Sequence, residues 1–415
     1  LSIPFAKRLQ IFLPFALGYF LSYLYRVINS VLAPNLAADI GVDPSELGLL
    51  TAAYFITFGA FQLPLGVLLD RFGPRRIEAA LLIVAAAGAL VFANATNLSG
   101  LVLGRALIGF GVSACLMAAF KAFVIWFPRQ QLPQINGFQM AAGGLGALVA
   151  TSPVEAALSI TDWRGLFTVL AVLTLAVAAA IFFIVPERRT TNEDESFVDQ
   201  MRGIRTVVTS LAFWRIAPWT TLSQATFLSI HGLWAGPWLR DVAGLDRTAV
   251  AGTLLLLAAA MVIGFVVLGT AAERLSRREI PTMAVAAIGM GVFMGVLLLI
   301  VFRFEQWFVL LWMLFGFFGT AGILPYAALS QSFPSHLSGR VNTALNLLVF
   351  VVAFAAQWGI GAIIGQWPTT AAGGYAPSGY QVAFSITLVL QLLTVFWFWL
   401  AGAILRRRLR VHSKI

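Results

Sequence analysis

Gly66-Val67-Leu68-Leu69-Asp70-Arg71-Phe72-Gly73-Pro74-Arg75-Arg76 is the stretch that decides how this chain is read. An acid and three arginines stand between two apolar runs, and a degenerate copy returns later as Gly269-Thr270-Ala271-Ala272-Glu273-Arg274-Leu275-Ser276-Arg277-Arg278. The second copy keeps the glycine, sets an acid-arginine pair four residues on, and brings the paired arginines one residue early. Alone such a match is weak. Recurring at the equivalent loop of each half, it points to an internal duplication.

Outward from these loops lie twelve apolar segments, at approximately 11–34, 47–69, 77–97, 100–126, 137–160, 164–185, 211–238, 248–270, 281–302, 307–329, 341–365 and 380–405. Each reaches the roughly 18 to 20 residues needed to cross the hydrocarbon of a bilayer. Of the 415 residues 60% are hydrophobic and only 11% are Asp, Glu, Lys or Arg, where a soluble domain carries roughly 25% charged residues. That excludes an ordinary soluble enzyme. A barrel of short strands with alternating polarity is excluded too, because no such alternation appears. The chain reads as an all-α membrane protein with twelve transmembrane helices in two pseudo-symmetric six-helix bundles. Its one long polar stretch, Pro186 to about Ser210, divides six segments from six. We expect an N-terminal bundle over 1–189, a cytoplasmic linker over 190–210 and a C-terminal bundle over 211–415.

The formal charge of +10 is explained by where the basic residues fall. With the N-terminus inside, twenty Lys and Arg lie on inside loops and four (Arg164, Arg240, Arg247 and Arg303) on outside loops; Arg26, Arg105 and Lys121 lie within segments. The positive-inside rule then places both termini in the cytoplasm, in an inner (plasma) membrane of the bacterial type. The charge is a topology signal, not a nucleic-acid face. The single cysteine, Cys115, cannot form an internal disulfide. No cleavable signal is expected, since the first segment is too long and no small-residue cleavage site follows it.

With Arg105-Ala106-Leu107-Ile108-Gly109-Phe110-Gly111 in the fourth segment, the 66–76 loop resembles the signatures of the major facilitator superfamily, and the likeness covers essentially the whole chain. Within it, the N-terminal half is most similar to the anion:cation symporters and organophosphate antiporters. The residues that carry this likeness are Arg26, Gln62 to Gly73, Arg105 to Gly111, Trp126-Phe127-Pro128 and Trp163-Arg164-Gly165-Leu166-Phe167. The resemblance implies a secondary transporter for a small organic anion, working by alternating access. It also implies that Asp70, Arg71, Arg75 and Arg76 form ion pairs and helix-end contacts that hold the outward-open state. Arg105, Glu273 and Arg274 complete that gating set. Two positions depart from the pattern. Many of those symporters have an acid directly before the first-segment arginine and another after the fourth-segment glycines, where this chain has Tyr25 and Val112. Nitrate porters use arginines in segments two and eight, and neither segment has one here.

A charge inside the membrane costs on the order of 3 kcal/mol, so such residues are functional candidates. Tyr19, Tyr23, Arg26 and Ser30 share one face of a helix by spacing. A guanidinium fork on such a polar stripe suits bidentate capture of a carboxylate or phosphate. Lys121 stands about six residues from the inner end of the fourth segment, roughly 9 Å deep, so that cavity lining and snorkelling are both open to it. Facing the cavity, it would join Arg26 in an electropositive site with no acid expected among the bundle centres. In the second half, Gln224, His231 and Trp234 approximate one helical face, and Tyr326, Asn342, Asn346 and Gln357 are candidate neutral ligands. His231, which titrates near neutrality, and Glu155 are the two proton-coupling candidates. Gly137, Gly143, Gly144 and Gly146 give the fifth segment a small-residue face for close helix packing.

No cofactor and no metal are expected. The partners are a small anionic substrate, protons and the lipid bilayer, with no nucleic acid, and the chain is expected to be a monomer. An efflux carrier for amphipathic compounds and a transporter-like sensor stand as alternatives. An enzyme does not, because no nucleophile-base pair is visible.

Overall fold

The computed structural model describes residues 4–41, 44–150, 152–187, 197–303, 307–368 and 374–412. Among these every regular element is a helix. The helices are α1 (Phe5–Val27), α2 (Asn29–Ile40), α3 (Pro44–Ala60), α4 (Gln62–Phe72), α5 (Pro74–Ala93), α6 (Leu98–Gly111), α7 (Cys115–Trp126), α8 (Leu132–Val149), α9 (Ser152–Leu158) and α10 (Trp163–Ile184). After α11 (Phe197–Val208) come α12 (Leu211–Ser229), α13 (Ala235–Asp241), α14 (Arg247–Ser276), α15 (Thr282–Val301), α16 (Phe308–Gly319), α17 (Leu324–Ser332), α18 (Ser338–Ile364) and α19 (Pro377–His412). Each of the twelve expected segments falls on one helix or on a broken pair. By length and hydropathy eight helices can cross a membrane among the described residues, or nine when the bent pair α3–α4 is taken as one. Of the expected linker, 190–196 lies outside the described residues.

Local chemistry sets the boundaries. Asn97, Asp162 and Asp246 accept the N–H groups of Gly100, Gly165 and Ala249 at 2.9, 2.7 and 2.7 Å, capping α6, α10 and α14. Gly73 takes a φ of 80°, a left-handed value that a side chain resists, and Pro74 follows at the first position of α5. Together they reverse the chain between α4 and α5 in the middle of the 66–76 loop. The bend of 53° between α3 and α4 falls beside Pro64, whose ring removes a helical hydrogen bond. Between α12 and α13, Ile230–Trp234 forms a π-helical turn.

The chain divides into two compact units. The first is Leu1–Met201 together with Pro334–Ala344; the second is Arg202–Phe333 with Leu345–Ile415. In the first, α5 packs on α6 and α10, α3 on α6, and α1 on α8 and α10. In the second, α15 packs on α16 and α19, α14 on α16, and α12 on α19. Counted as segments, three with four, three with six, two with four, and one with six therefore pair in both halves. The echo heard in the two loops is repeated in the packing.

The small face of the fifth segment sits where α8 meets α1. A Cβ added at Gly146 would collide with the Phe20 backbone carbonyl, whereas one at Gly59 would meet nothing within 4 Å. Gly146→Ala is expected to cost about 1–3 kcal/mol by overpacking. In detergent its melting temperature should fall by several degrees while that of Gly59→Ala does not. Equal melting temperatures for the two variants would refute this close approach.

Candidate functional site

The predicted stripe on the first segment comes together in the first unit. Arg26, near the end of α1, has its guanidinium carbon 4.6 Å from the centre of the Tyr23 ring, 5.2 Å from Phe58 and 5.9 Å from Phe55. Tyr19 and Tyr23 meet edge to face at 5.1 Å, against α8 at Gly143, where a Cβ would overlap both rings. The Ser30 side chain lies outside what is described. Rings engage the faces of a guanidinium and offset part of its desolvation by about 0.5–2 kcal/mol. The donors lie in its plane, the direction from which a carboxylate is gripped by two parallel hydrogen bonds.

Arg105 braces this position from behind. It is fully buried, donates from Nη1 to the Tyr25 carbonyl at 2.8 Å and lies 4.8 Å from the Tyr54 ring centre. Tyr54 in turn donates to the Ser22 carbonyl at 3.3 Å, and Gln62 donates to the carbonyls of Phe58 and Ser113 at 3.1 and 3.3 Å. The bonds from Arg105 and Tyr54 hold the α1 backbone on which Arg26 stands. Arg105 thus supports α1 and is not part of the charge cluster formed by the 66–76 loop.

That cluster is centred on Asp70, which is 0% exposed. Its Oδ1 accepts from Lys121 Nζ at 2.6 Å and from the Gly339 N–H at 3.0 Å. Its Oδ2 accepts from the Arg340 N–H at 3.2 Å and lies 3.3 Å from Arg340 Nε. Lys121 Nζ also donates to the Ser335 carbonyl at 2.8 Å. The carboxylate therefore neutralises two buried cations and caps the first turn of α18, where unsatisfied N–H groups favour an anion. At Gly66 a Cβ would collide with the Thr343 hydroxyl, so this glycine admits the 334–344 segment against α4.

Two expectations are corrected here. Lys121 neither lines a cavity with Arg26 nor snorkels outward, because a buried ammonium at this depth is held by the Asp70 carboxylate. The first unit also buries an acid that the sequence reading did not count. Glu78 of α5 is 0% exposed, and standing two residues beyond Arg76 it reads in the sequence as the edge of a charged loop. Arg340 went unnoticed for the same reason, as one more basic loop residue.

The other members of the gating set stand apart from Asp70. Arg75 donates from Nε to the Phe182 carbonyl at 2.7 Å and from Nη1 to Glu187 at 3.4 Å, and Arg76 also pairs with Glu187. Both tie the start of α5 to the chain beyond α10. Arg71 lies 5.1 Å from the Phe72 ring centre. Glu273, the acid of the second copy, pairs with Arg277 one turn along its own helix, beside Arg274.

In the second unit, Tyr326 donates to Asn346 Oδ1 at 3.3 Å, and Trp234 Nε1 donates to the Gln357 backbone carbonyl at 3.1 Å. Gln224 Nε2 is 3.5 Å from the Gly319 carbonyl. His231 occupies the π-helical turn, half-buried, with its ring stacked on Phe227 at 5.4 Å. Asn342 is buried in the 334–344 segment, which groups with the first unit, and Glu155 is exposed on α9.

Among the described residues the chain is thus all-helical, with a duplicated charged loop and a half-buried arginine among aromatic rings. The sequence profile of the Major Facilitator Superfamily matches residues 15–357, and the chain belongs to that superfamily. It is 25% identical over 279 residues to the probable sulfoacetate transporter SauU of Cupriavidus necator, covering 63% of this chain and 64% of the relative. It is 27% identical over 190 residues to the hexuronate transporter of Escherichia coli, covering 44% of this chain and 43% of that one. The chain thus spans less than two thirds of the length of the curated relatives it matches. Among solved structures it resembles the superfamily transporter FucP in the outward conformation, with a TM-score of 0.71, 14% identity and coverage of 93% of this chain and 99% of that one. That likeness establishes the fold.

Proposed function

We propose that this protein is a secondary active transporter that carries a small organic anion, a carboxylate, across the inner membrane by alternating access. It works as a monomer with both termini in the cytoplasm and a proton as coupling ion. The observation that carries the reading is Arg26, a cation at mid-segment whose neighbours are aromatic rings and tyrosine hydroxyls. Such a position favours an anion and opposes a cationic drug. The names of the relatives agree, since sulfoacetate and hexuronate are both organic anions. In this reading the Asp70 cluster is the latch. It holds the foot of the eleventh segment against the second and fourth, and breaking it frees that foot to move.

The reading is tested by thermal stabilisation of the purified protein with carboxylates, sugar acids, sulfonates, phosphate esters, amino acids and cationic amphiphiles. A ligand bound to the native state at a hundred times its Kd raises stability by about 2.7 kcal/mol. Stabilisation by organic anions is expected. Stabilisation by cationic amphiphiles alone would replace this reading with efflux of amphipathic compounds.

A further inference from the structure

The carboxyl of Glu78 has no role in the scheme so far, yet it is fully buried and neither of its oxygens makes a hydrogen bond among the described residues. One oxygen lies where a Cβ on Gly18 would stand, and the Ile181 side chain closes the same space from α10. Its polar neighbour is the Cys115 thiol at the start of α7. Cys115 is itself fully buried and feels the charge of Arg26.

Apart from Arg26, the charged groups of the elements around Glu78 are engaged elsewhere. Arg105 of α6 is on the Tyr25 carbonyl and the Tyr54 ring, Asp70 of α4 is on Lys121 and Arg340, and Arg71 of α4 is over the Phe72 ring. On α5 itself, Arg75 and Arg76 are on Glu187. On α1, facing through Gly18, Tyr25 shares a hydrogen bond with Thr174 of α10 at 3.0 Å. Among the described residues Glu78 forms no ion pair. A carboxylate stripped of water and without an ion-pair partner is costly, so this packing favours the neutral acid.

We propose that Glu78 is the proton-binding site of this carrier, linked through Cys115 to the anion on Arg26; this rests on the organic-anion reading above. Ionised, Glu78 is an internal counter-anion that competes with the substrate for the field of Arg26. Protonated, it leaves that field to the substrate. Proton and anion therefore bind cooperatively, and by reciprocity each raises the affinity for the other to the same degree. The exchange has a short way to go. Glu78 is four residues into α5, about 6 Å of helical rise from the start of that helix. A proton leaving its carboxyl oxygen passes to water at that end once the packing around Gly18 loosens. The chain thereby meets the need left by Tyr25 and Val112, from a different helix.

The test compares wild type with Glu78→Gln, which imitates the neutral acid in shape and leaves Arg26 untouched. With the organic anion that best stabilises the protein, wild-type affinity is expected to fall about tenfold for each pH unit above the Glu78 midpoint. Each anion bound should then take up one proton, read by calorimetry in buffers of different ionisation enthalpy. Glu78→Gln should bind with the low-pH affinity at every pH, take up no proton, and keep counterflow in proteoliposomes while losing accumulation driven by a pH gradient. Proton uptake that persists in Glu78→Gln would overturn the assignment and leave the anion reading standing. Failure of wild type to bind any organic anion would overturn the anion reading. Infrared titration would then decide the proton site by itself. A protonated-carboxyl band present in wild type and missing in Glu78→Gln supports it, and no such band overturns it. Should Glu78→Gln not fold, Cys115→Ser is expected to shift the midpoint of the wild-type pH profile, and an unshifted midpoint would overturn the link.

Discussion

Arg26→Ala is expected to abolish organic-anion binding while leaving a folded, membrane-inserted protein. Hydrogen bonds to charged groups are worth about 1.5–3 kcal/mol each, so loss of one bidentate grip costs on the order of a hundredfold in Kd or more. Folding should survive because Arg105, and not Arg26, bonds the α1 backbone from the adjoining helix. Arg26→Lys separates charge from geometry. It keeps the cation and loses the planar fork, and is expected to bind between the two, about tenfold weaker than wild type. Titration calorimetry at fixed pH checks both variants. Wild-type affinity in Arg26→Ala would remove this residue from the site.

Asp70→Ala should produce the largest loss of stability. Removing the acid leaves the ammonium of Lys121 and the guanidinium of Arg340 buried together, at 1% and 2% side-chain exposure, with no anion between them. Breaking a buried pair in this way costs about 3–5 kcal/mol, and the lost cap on α18 adds about 1 kcal/mol. Hydrogen exchange is expected to rise in Pro334–Ala344, whose Gly339 and Arg340 N–H groups the carboxylate holds. Lys121→Met should have a smaller effect, because Asp70 keeps Arg340. Unchanged protection of 339 and 340 in Asp70→Ala would show that the cluster does not hold the foot of α18.

Most of the architecture was legible because a bilayer reduces the problem to runs of apolar residues. Those runs and the two charged loops have counterparts in the helices and their pairing. The aromatic stripe around Arg26 was legible too, since Tyr19, Tyr23 and Arg26 lie on one helix and spacing alone aligns them. What could not be read were partnerships between helices. Asp70, Lys121 and Arg340 belong to three segments scattered along the sequence, and each alone has an ordinary explanation as loop charge, snorkelling lysine or topology signal. Glu78 was hidden by its neighbours. Two arginines just before it suggest an exposed helix start, and only the approach of Gly18 and Cys115 shows the carboxyl turned into the bundle.

The central claim is an anion held by Arg26, and equilibrium titration of purified wild type and Arg26→Ala with organic anions tests it most directly. Saturable binding by wild type and none by Arg26→Ala is the predicted result. Binding of equal strength in both proteins, or binding of cationic or neutral compounds alone, would contradict it.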